Sequence, residues 1–532
     1  MKKQKRHGLQ QGFMTMTLLG MITVFTIIMI GVLELVNLNV ATVANNITSQ
    51  RAFNIAEAGV NYYLWHLSHN PTDYKDGQST PTTPDATLGY GPYVHDYFDD
   101  NGVNQGTYTL WIKPQGSGST IATIRAIGKV KGSVITRTID AQIGSPSFAN
   151  YGVLSDTSLW FGSTESASGP VHSNQGVRMD GASSTDVTAA NATYVPSNQL
   201  GGDGNSHPGV WCSNSITTPV NCSTRPKTDW TYPVPSVDFN QITGSLCTLK
   251  KVAFASDSST SSLATQANAC TQTPTTRTPA YLPQRNSTGS YSISRGYLIE
   301  LNTDGTYNLS QVNAETDTAS SYSTALTRVA VANNIAIPAS GVIFAEDNVW
   351  IRSNTTYHGK VTVGAGRLAT TNNAEIVIAD DLVYSTKNGS DAIGLVAENN
   401  ITIAPYAPPQ SGGFTFEVDA AMIAQSGSVL YPSYYRSSSS SCTKGWIAAN
   451  QTFLFYGSVS SRQSWTWTWD WGGNSCGNNA RATSGSSSGD YISGIYNNTT
   501  QYDYNLLYSP PPSYPITGTY NVLSWHEVIT AP

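Results

Sequence analysis

Four acidic residues occupy corresponding positions of a sequence pattern that recurs in the second half of the chain, and paired carboxyl groups can perform acid–base chemistry. They are Asp347, Asp380, Asp381 and Glu398, each in a polar turn between two apolar runs. If the repeats stack about 4.8 Å apart, as neighbouring strands do, these carboxylates could act on a polysaccharide. A row of solvated turn residues explains the same pattern, and we expect that the chain is not an enzyme.

Other chemical motifs are weaker. The segment "GSSSG" (485–489) matches Gly-x-Ser-x-Gly but lies in a Ser/Gly run without a strand-turn-helix context. A calcium loop around "YFDDNGVNQG" would place Tyr97 and Tyr108 at its first and last ligand positions, where tyrosine fails. His66 and His69 are typical of surface histidines. We therefore predict neither a metal nor a cofactor.

The six cysteines are an even number, and all follow the apolar segment near the N-terminus. None belongs to a Cys-x-x-Cys pair, so disulfide bonds in an oxidising compartment fit better than a metal site. Six cysteines allow fifteen pairings. We expect sequence neighbours to pair, namely Cys212 with Cys222, Cys247 with Cys270, and Cys442 with Cys476.

The segment "SWTWTWDWGG" places four tryptophans at every second position, Trp465, Trp467, Trp469 and Trp471. Residues at this spacing share one face of a strand. A buried hairpin accounts for them, because four exposed indoles would form an apolar surface patch prone to aggregation. If exposed, they would form a platform for sugars or a partner surface.

The composition points to an extracellular, β-rich protein with little charge. Only 12% of the 532 residues are charged, compared with roughly 25% in typical soluble domains. The net charge is -6, and few lysines or arginines follow the N-terminal segment. The chain therefore has no basic stripe to neutralise phosphates, and we predict no direct nucleic-acid partner.

An apolar segment at 13–36, in which Glu34 is the one charged residue, is long enough to cross a membrane. The basic residues before it keep that end in the cytoplasm and place the rest outside. Apolar residues then recur three or four positions apart until Asn70-Pro71, which predicts one continuous helix about 80 Å long. After a loop at 71–104, three alternating segments predict an antiparallel sheet: 107–113, 120–130 and 132–143.

Beyond residue 148, several segments share one form, in which an apolar strand meets a polar turn and a second strand. We interpret them as stacked turns of a β-solenoid or parallel β-helix with insertions, while an irregular β-sandwich stays open. The clearest copies are "VLSDTSLWF" (153–161), "VHSNQGVRM" (171–179), "IFAEDNVWI" (343–351), "VIADDLVYS" (377–385), "LVAENNITI" (395–403) and "MIAQSGSVL" (422–430), with partial copies in "VAVANNIAI" (329–337) and "GKVTVGAG" (359–366).

The basic leader, the Gly12–Phe13 junction, the apolar helix and the following "RAFNIAEAGVNYYL" resemble the N-terminus of type IV pilins and pseudopilins. The resemblance is greatest to PilX-like minor pilins and the K-type pseudopilin of type II secretion. It implies cleavage after Gly12 by a prepilin peptidase, methylation of the Phe13 amine, and later extraction of the helix into a filament.

One position departs from the pattern of major pilins. These carry Glu at the fifth mature residue, where its carboxylate can neutralise the buried amine of a neighbouring subunit. This chain has Thr17 there, which favours a minor or tip subunit. Thr17 and Glu34 are the candidate assembly positions in the helix.

We therefore predict an α+β protein with a long N-terminal transmembrane pilin helix, a small antiparallel sheet and a large, mostly β domain. The expected divisions are a leader (1–12), the helix (13–70), the sheet domain (71–147), the solenoid-like domain (148–440) and a Trp/Pro-rich β region (441–532).

The predicted function is that of a minor subunit of a type IV pilus or related filament, with the tip as its candidate position, acting in assembly and surface attachment. Its expected partners are other pilins, the assembly platform, the prepilin peptidase, the membrane and a host-surface or carbohydrate receptor. The chain is expected to be a single-pass cytoplasmic membrane protein that reaches the cell surface on assembly. A surface-anchored adhesin and a β-helix carbohydrate-active enzyme are the alternatives.

Overall fold

The computed structural model describes residues 10–70, 73–78, 83–114, 121–144, 146–285, 295–316, 321–407, 415–432, 452–470, 481–482, 491–495, 498–517 and 520–528. The chain forms two compact units. The first unit consists of Met1–Lys113, Ala122–Ile143 and Val522–Pro532, and the second of Pro114–Ile121 and Gly144–Asn521.

The first unit begins with helix α1, Gln10–His69, which is 60 residues long. It is the one helix of the described residues that is long and apolar enough to cross a membrane. Its first half exposes its apolar side chains on all sides. The hydroxyls of Thr23 and Thr26 donate to carbonyls four residues earlier, at Leu19 and Ile22, so these polar groups are satisfied within the helix. The segment therefore fits a membrane anchor.

The second half of α1 buries one face. The buried residues recur three or four positions apart, which places them on a single stripe of the helix: Ala52, Ile55, Ala56, Val60, Tyr63 and Leu67.

Four strands of the small sheet follow: β1 (Tyr90–Phe98), β2 (Asn104–Pro114), β3 (Ile121–Val130) and β4 (Thr136–Gly144). β1 and β2 are antiparallel, and β2 to β4 bury every second residue for most of their length. The sequence predicted a loop where β1 lies. β1 buries only Tyr93, so it lacks the apolar alternation by which a strand is recognised.

The second unit opens with short strands: β5 (Val153–Ser155), β6 (Leu159–Phe161), β7 (Ser166–Ala167), β8 (Val171–Ser173), β9 (Val177–Met179), β10 (Ala182–Ser183), β11 (Val187–Ala189), β12 (Thr193–Tyr194), β13 (His207–Pro208), β14 (Val210–Trp211) and β15 (Trp230–Thr231). Helix α2 (Gln241–Ala255) and the short helix α3 (Ser261–Ala264) follow. Single 3₁₀ turns lie at Phe148–Asn150, Asn198–Leu200, Ala269–Thr271 and Tyr504–Leu507.

Longer strands come next: β16 (Tyr281–Leu282), β17 (Gly296–Leu301), β18 (Thr306–Glu315), β19 (Leu326–Ala336), β20 (Val342–Ala345), β21 (Asn348–Ser353), β22 (Lys360–Ala365), β23 (Ile376–Ile378), β24 (Ala392–Ala397), β25 (Ile401–Ile403), β26 (Thr415–Ala424), β27 (Val429–Leu430) and β28 (Thr452–Ser461). The short helix α4, Tyr322–Ala325, precedes β19.

The remaining strands are β29 (Thr468–Asp470), β30 (Arg481–Ala482), β31 (Tyr491–Gly494), β32 (Asn498–Tyr502) and β33 (Asn521–Glu527). β33 lies beside β4, so the small sheet has the order β1-β2-β3-β4-β33. The second unit resumes at Gly144, and the C-terminal strand belongs to the first unit from Val522 onward.

Parallel sheets dominate the second unit. The largest has the order β15-β11-β8-β5-β28-β26-β24-β22-β20-β16, with β32 also beside β28, and all of its pairs are parallel. A second sheet has the order β19-β18-β17-β21-β23-β25-β27 and is parallel from β17 onward. From β20 to β28, successive strands alternate between these two sheets.

The repeated sequence pattern corresponds to strand ends on either side of a turn. The segment 153–161 spans β5 and β6, 343–351 reaches from β20 into β21, and 395–403 reaches from β24 into β25. The partial copy at 329–337 behaves differently, because nearly all of it lies within the single strand β19. That segment pairs antiparallel with β18 and is mostly exposed.

The main core of the second unit lies among the strands of the two sheets, with fully buried Trp350, Leu395 and Met422. α2 covers a second cluster with residues spaced along one face, including Leu246 and Leu249. Clusters of apolar residues therefore cover both faces of the largest sheet and bury side chains on both sides of it.

Candidate functional site

The candidate processing and assembly positions lie in α1. Gly12 and Phe13 fall near its beginning at Gln10. The Thr17 hydroxyl donates to the carbonyl of Met14 at 3.0 Å, and Glu34 lies exposed in the apolar half. Since the helix runs unbroken to His69, these positions and the amphipathic half share one rigid element.

Two of the four candidate carboxylates hold buried turns. Asp347 is fully buried, forms an ion pair with Arg367, and accepts hydrogen bonds from the backbone amides of Arg285 and Asn348, both at 2.9 Å. Glu398 accepts from the amide of Arg367 at 2.7 Å, and burial raises the pKa of this carboxyl. Each carboxylate is thus already engaged in organising its turn.

The other two candidates lie side by side. Asp380 pairs with Arg352 at 3.4 Å and accepts from the amide of Asp381 at 3.0 Å. Asp381 accepts from the amide of Glu417 at 2.8 Å, and burial raises its pKa to about 6. All four carboxylates therefore accept a hydrogen bond from a backbone amide, which is a structural role for an acidic residue in a turn.

Two disulfide bonds join cysteines that are neighbours in the sequence. Cys212 bonds to Cys222 with a Cα–Cα distance of 5.9 Å, and Cys247 bonds to Cys270 with a Cα–Cα distance of 5.1 Å. The second bond ties α2 to the 3₁₀ turn at Ala269–Thr271. The expected pair Cys442 and Cys476 lies outside the described residues.

The tryptophan row begins in the core. Trp467 is 3% exposed and packs against Phe453 with ring centroids 5.3 Å apart. Trp465 is partly buried and lies 5.6 Å from Phe161 between ring centroids. These two indoles are therefore packed rather than displayed as a platform. Trp469 lies in β29 without a described side chain, and Trp471 lies outside the described residues.

The second unit contains a cavity of about 450 Å³ that was not predicted from the sequence. It lies where the terminal strands of two sheets come together, β15 of the largest sheet and β14 of the sheet β14-β9-β6. Aromatic residues on these strands and the following loop line it, namely Trp211, Trp230 and Tyr232. The available signal was an aromatic cluster within a Gly/Ser/Pro-rich segment that also carries a close cysteine pair.

Trp211 is held firmly at this cavity. The imidazole of His207 stacks on its indole with centroids 3.5 Å apart and planes within 3° of parallel. The guanidinium of Arg178 lies 5.1 Å from the same ring, a cation–π distance. The indole N–H donates to the Tyr194 hydroxyl at 3.0 Å.

Buried Asp180 fixes the elements around Trp211. Its carboxylate accepts from Arg178 Nε at 2.7 Å, from Trp160 Nε1 at 3.0 Å and from the amide of Ser213 at 2.9 Å. Asp180 therefore joins two strands to the loop that the Cys212–Cys222 disulfide closes.

The cavity also carries polar groups. Asp203 accepts from His207 Nε2 at 2.8 Å, and this hydrogen bond lowers the pKa of the exposed Asp203 carboxyl. Lys227 places its ammonium 5.6 Å from the Trp230 ring. Asn214 and Ser215 add amide and hydroxyl groups from the loop.

The chain is similar to known proteins at the level of solved structures only. No family model matches the chain, and no curated protein matches it. Among solved structures, the chain is similar to the competence-associated pilin ComZ from Thermus thermophilus, at 12% identity and a TM-score of 0.29, over 90% of this chain and 97% of that chain. The proposals below rest on this chain's own residues.

Proposed function

We propose that this chain is a minor subunit of a type IV pilus or related filament and is matured by cleavage after Gly12. The observation that carries the proposal is the helix α1. Its basic leader ends at Gly12-Phe13, its first half is apolar on all sides, and its second half buries one stripe of residues. The apolar half can lie in lipid, and the second half packs its buried stripe within the first unit, so one helix joins a membrane anchor to the folded part of the chain.

The retained helix explains the position of the leader. A secretory signal is cut behind its apolar segment, which is then lost. Cleavage after Gly12 would remove only the leader, with its basic residues, and leave Phe13 as the first residue of an intact anchor. Prepilin peptidase, the assembly platform and other pilins are accordingly the proposed partners.

Thr17 favours a terminal position in the filament. An amine buried beside a neighbouring helix needs a compensating carboxylate. The side chain of Thr17 is an uncharged hydroxyl, which donates to the carbonyl of Met14, so it supplies no compensating charge. We place the subunit at an end of the filament, where one neighbour is missing.

The second unit is proposed to be a β-solenoid that presents a surface outward for attachment. Support comes from the alternation of successive strands between two parallel sheets. We propose a non-catalytic role for the second unit, because each of the four turn carboxylates accepts a hydrogen bond from a backbone amide. Polysaccharide turnover that is lost in Glu398→Gln with the fold retained would contradict this part.

The N-terminus of the protein isolated from its own cells tests the filament role. We expect mass spectrometry to find methylated Phe13 as the first residue, and to find the leader retained in Gly12→Val. Gly8→Val is a matched control, because it makes the same change elsewhere in the leader and should leave cleavage intact.

Filament isolation completes this test. The chain should co-purify with sheared filaments, with immunogold label at their ends. A wild-type chain that retains Met1 in membranes would refute maturation and favour the surface-anchored adhesin. Label spread along the whole filament would refute the terminal position alone.

A further inference from the structure

We propose that the cavity bounded by Trp211, Trp230 and Tyr232 binds a sugar ring of a surface glycan. The inference deepens the attachment role proposed above and rests on it for its biological setting. Its physical basis is the cavity itself, which the structure describes throughout.

The size and lining of the cavity fit a sugar. Its volume of about 450 Å³ lies within the range of small-molecule sites. A pyranose ring has a face of C–H groups that packs on aromatic rings, and a rim of hydroxyls that both donate and accept hydrogen bonds. The cavity offers both kinds of partner, aromatic rings from the strands and the polar side chains of Asp203, Asn214 and Ser215.

The site is formed before any ligand arrives. Trp211 is fixed by His207 and Arg178, and the loop that carries Asn214 and Ser215 is closed by a disulfide and tied to Asp180. A lining held in this way loses little conformational entropy on binding. Tyr232 is 37% exposed and completes the lining from the segment that follows β15.

The charges favour a glycan over single-stranded nucleic acid, which also stacks on aromatic rings. Arg178 is engaged by Asp180, and Arg225 donates to the carbonyls of Met179 and Asp180. Neither arginine lines the cavity, and Lys227 is the one lysine or arginine among the described lining residues. Asp203 faces the same cavity with a negative charge that repels phosphates.

The test is saturation-transfer NMR with the full-length chain in a polyoxyethylene detergent, since a sugar detergent would compete. The probes are cellotetraose, chitotetraose, mannotetraose and maltotetraose. We expect at least one to give a saturable signal, and Tyr232→Ala to weaken its binding about tenfold or more.

Matched variants keep the result interpretable. Tyr508→Ala removes another exposed tyrosine, 53% exposed and outside the cavity lining, and should leave binding unchanged. Trp230→Ala should also weaken binding. Because Trp230 is partly buried, the thermal unfolding midpoint of the Trp230→Ala variant is measured as well. If that variant does not fold, Tyr232→Ala decides the test.

Three results would overturn the inference: no saturable signal from any of the four sugars, sugar binding that survives Tyr232→Ala, or binding of a thymidine oligonucleotide that Asp203→Asn strengthens. The assay contains no filament. Sugar binding, combined with failure of the chain to be cleaved after Gly12 in its own cells, would therefore refute the filament role alone. Cleavage there without sugar binding would refute this inference alone.

Discussion

Val153 lies beside Val459 in the parallel strand pair of β5 and β28, and both side chains are buried. β5 is the first strand of the second unit, and β28 comes near its end. The chain therefore builds its largest sheet from the middle, runs from β5 to one end at β15, restarts at the other end at β16, and returns to meet β5. The pair of β5 and β28 therefore joins the two halves of the largest sheet.

Val459→Ala should destabilise both halves of this sheet, because it opens a cavity at their junction. We expect a loss of about 2 kcal/mol in the free energy of unfolding. Denaturant unfolding measures the loss, and hydrogen exchange should show reduced protection at Val153 and Leu154. Val329→Ala makes the same change at a side chain 57% exposed and should stay within about 0.5 kcal/mol. Equal losses in the two variants would contradict a closing role for Val459.

The order of these strands could not be read from the sequence. Copies of the repeated pattern such as 343–351 and 395–403 mark strand ends on either side of a turn, because apolar runs that flank a polar break are buried on both sides of it. The copy at 329–337 instead lies almost wholly within β19. Every strand of such a sheet has a similar apolar pattern, so the pattern does not say that β5 lies beside β28 rather than at an end. That neighbour is selected by packing over the whole unit.

The candidate sites likewise combine features that local sequence predicts with features that depend on the packing of the whole unit. The cysteine pairs within the described residues are short-range, so sequence proximity was a sufficient guide to them. The turn carboxylates were found by their position in the repeat, but their use as backbone acceptors depends on amides such as that of Glu417, from a different strand. The aromatic cavity needed the terminal strands of two sheets to meet, which no local pattern encodes.

Close contact between α1 and the small sheet should depend on Gly128. A Cβ added there would collide with the carbonyl oxygen of Ala52 in α1. Gly128→Ala is therefore expected to cost about 1–3 kcal/mol and to raise hydrogen exchange in the buried stripe around Ala56. Gly31→Ala adds the same methyl group where α1 has no neighbour within 4 Å, and should not raise exchange there. Unchanged exchange in Gly128→Ala would refute the tight approach.

Removing one partner of the Lys250–Glu346 ion pair should lower the free energy of unfolding strongly, whereas replacing both partners with apolar side chains should lower it little. The two side chains are 0% and 1% exposed. Removing the cation alone, in Lys250→Met, leaves a buried carboxylate without its partner and should cost about 3–5 kcal/mol. The double variant Lys250→Met, Glu346→Met should recover most of that loss, as denaturant unfolding of the four species of a double-mutant cycle will show.

A partly exposed pair provides the comparison for that cycle. Arg462 and Asp156 are 2.9 Å apart with side chains 36% and 28% exposed, so Arg462→Met should cost about 1 kcal/mol or less. If Lys250→Met were equally mild, the buried pair would contribute no more than a surface pair. If the double variant were no better than Lys250→Met alone, charge would not be the cause of the loss.

Asp381 should make the second unit less stable as pH rises. Burial raises its pKa from 3.8 to about 6, so the folded state holds this proton more tightly than the unfolded chain does. Its contribution to stability is therefore fully present below about pH 4 and is lost as pH rises through about 6. Asp381→Asn keeps an acceptor for the amide of Glu417 and cannot ionise. We expect it to match wild type near pH 4 and to be more stable near pH 7, by about 1–2 kcal/mol after allowance for solvent screening.

Thermal unfolding midpoints measured between about pH 4 and 7 decide this prediction. Asp380→Asn changes the adjacent residue in the same way but removes an ion pair with Arg352, so it should lose stability at neutral pH rather than gain it. A wild-type chain that gains stability over Asp381→Asn as pH rises would mean that the carboxylate is stabilised in the fold. Its bond to the amide of Glu417 would then outweigh the cost of burying its charge, since a hydrogen bond to an ionised acceptor favours the charged form.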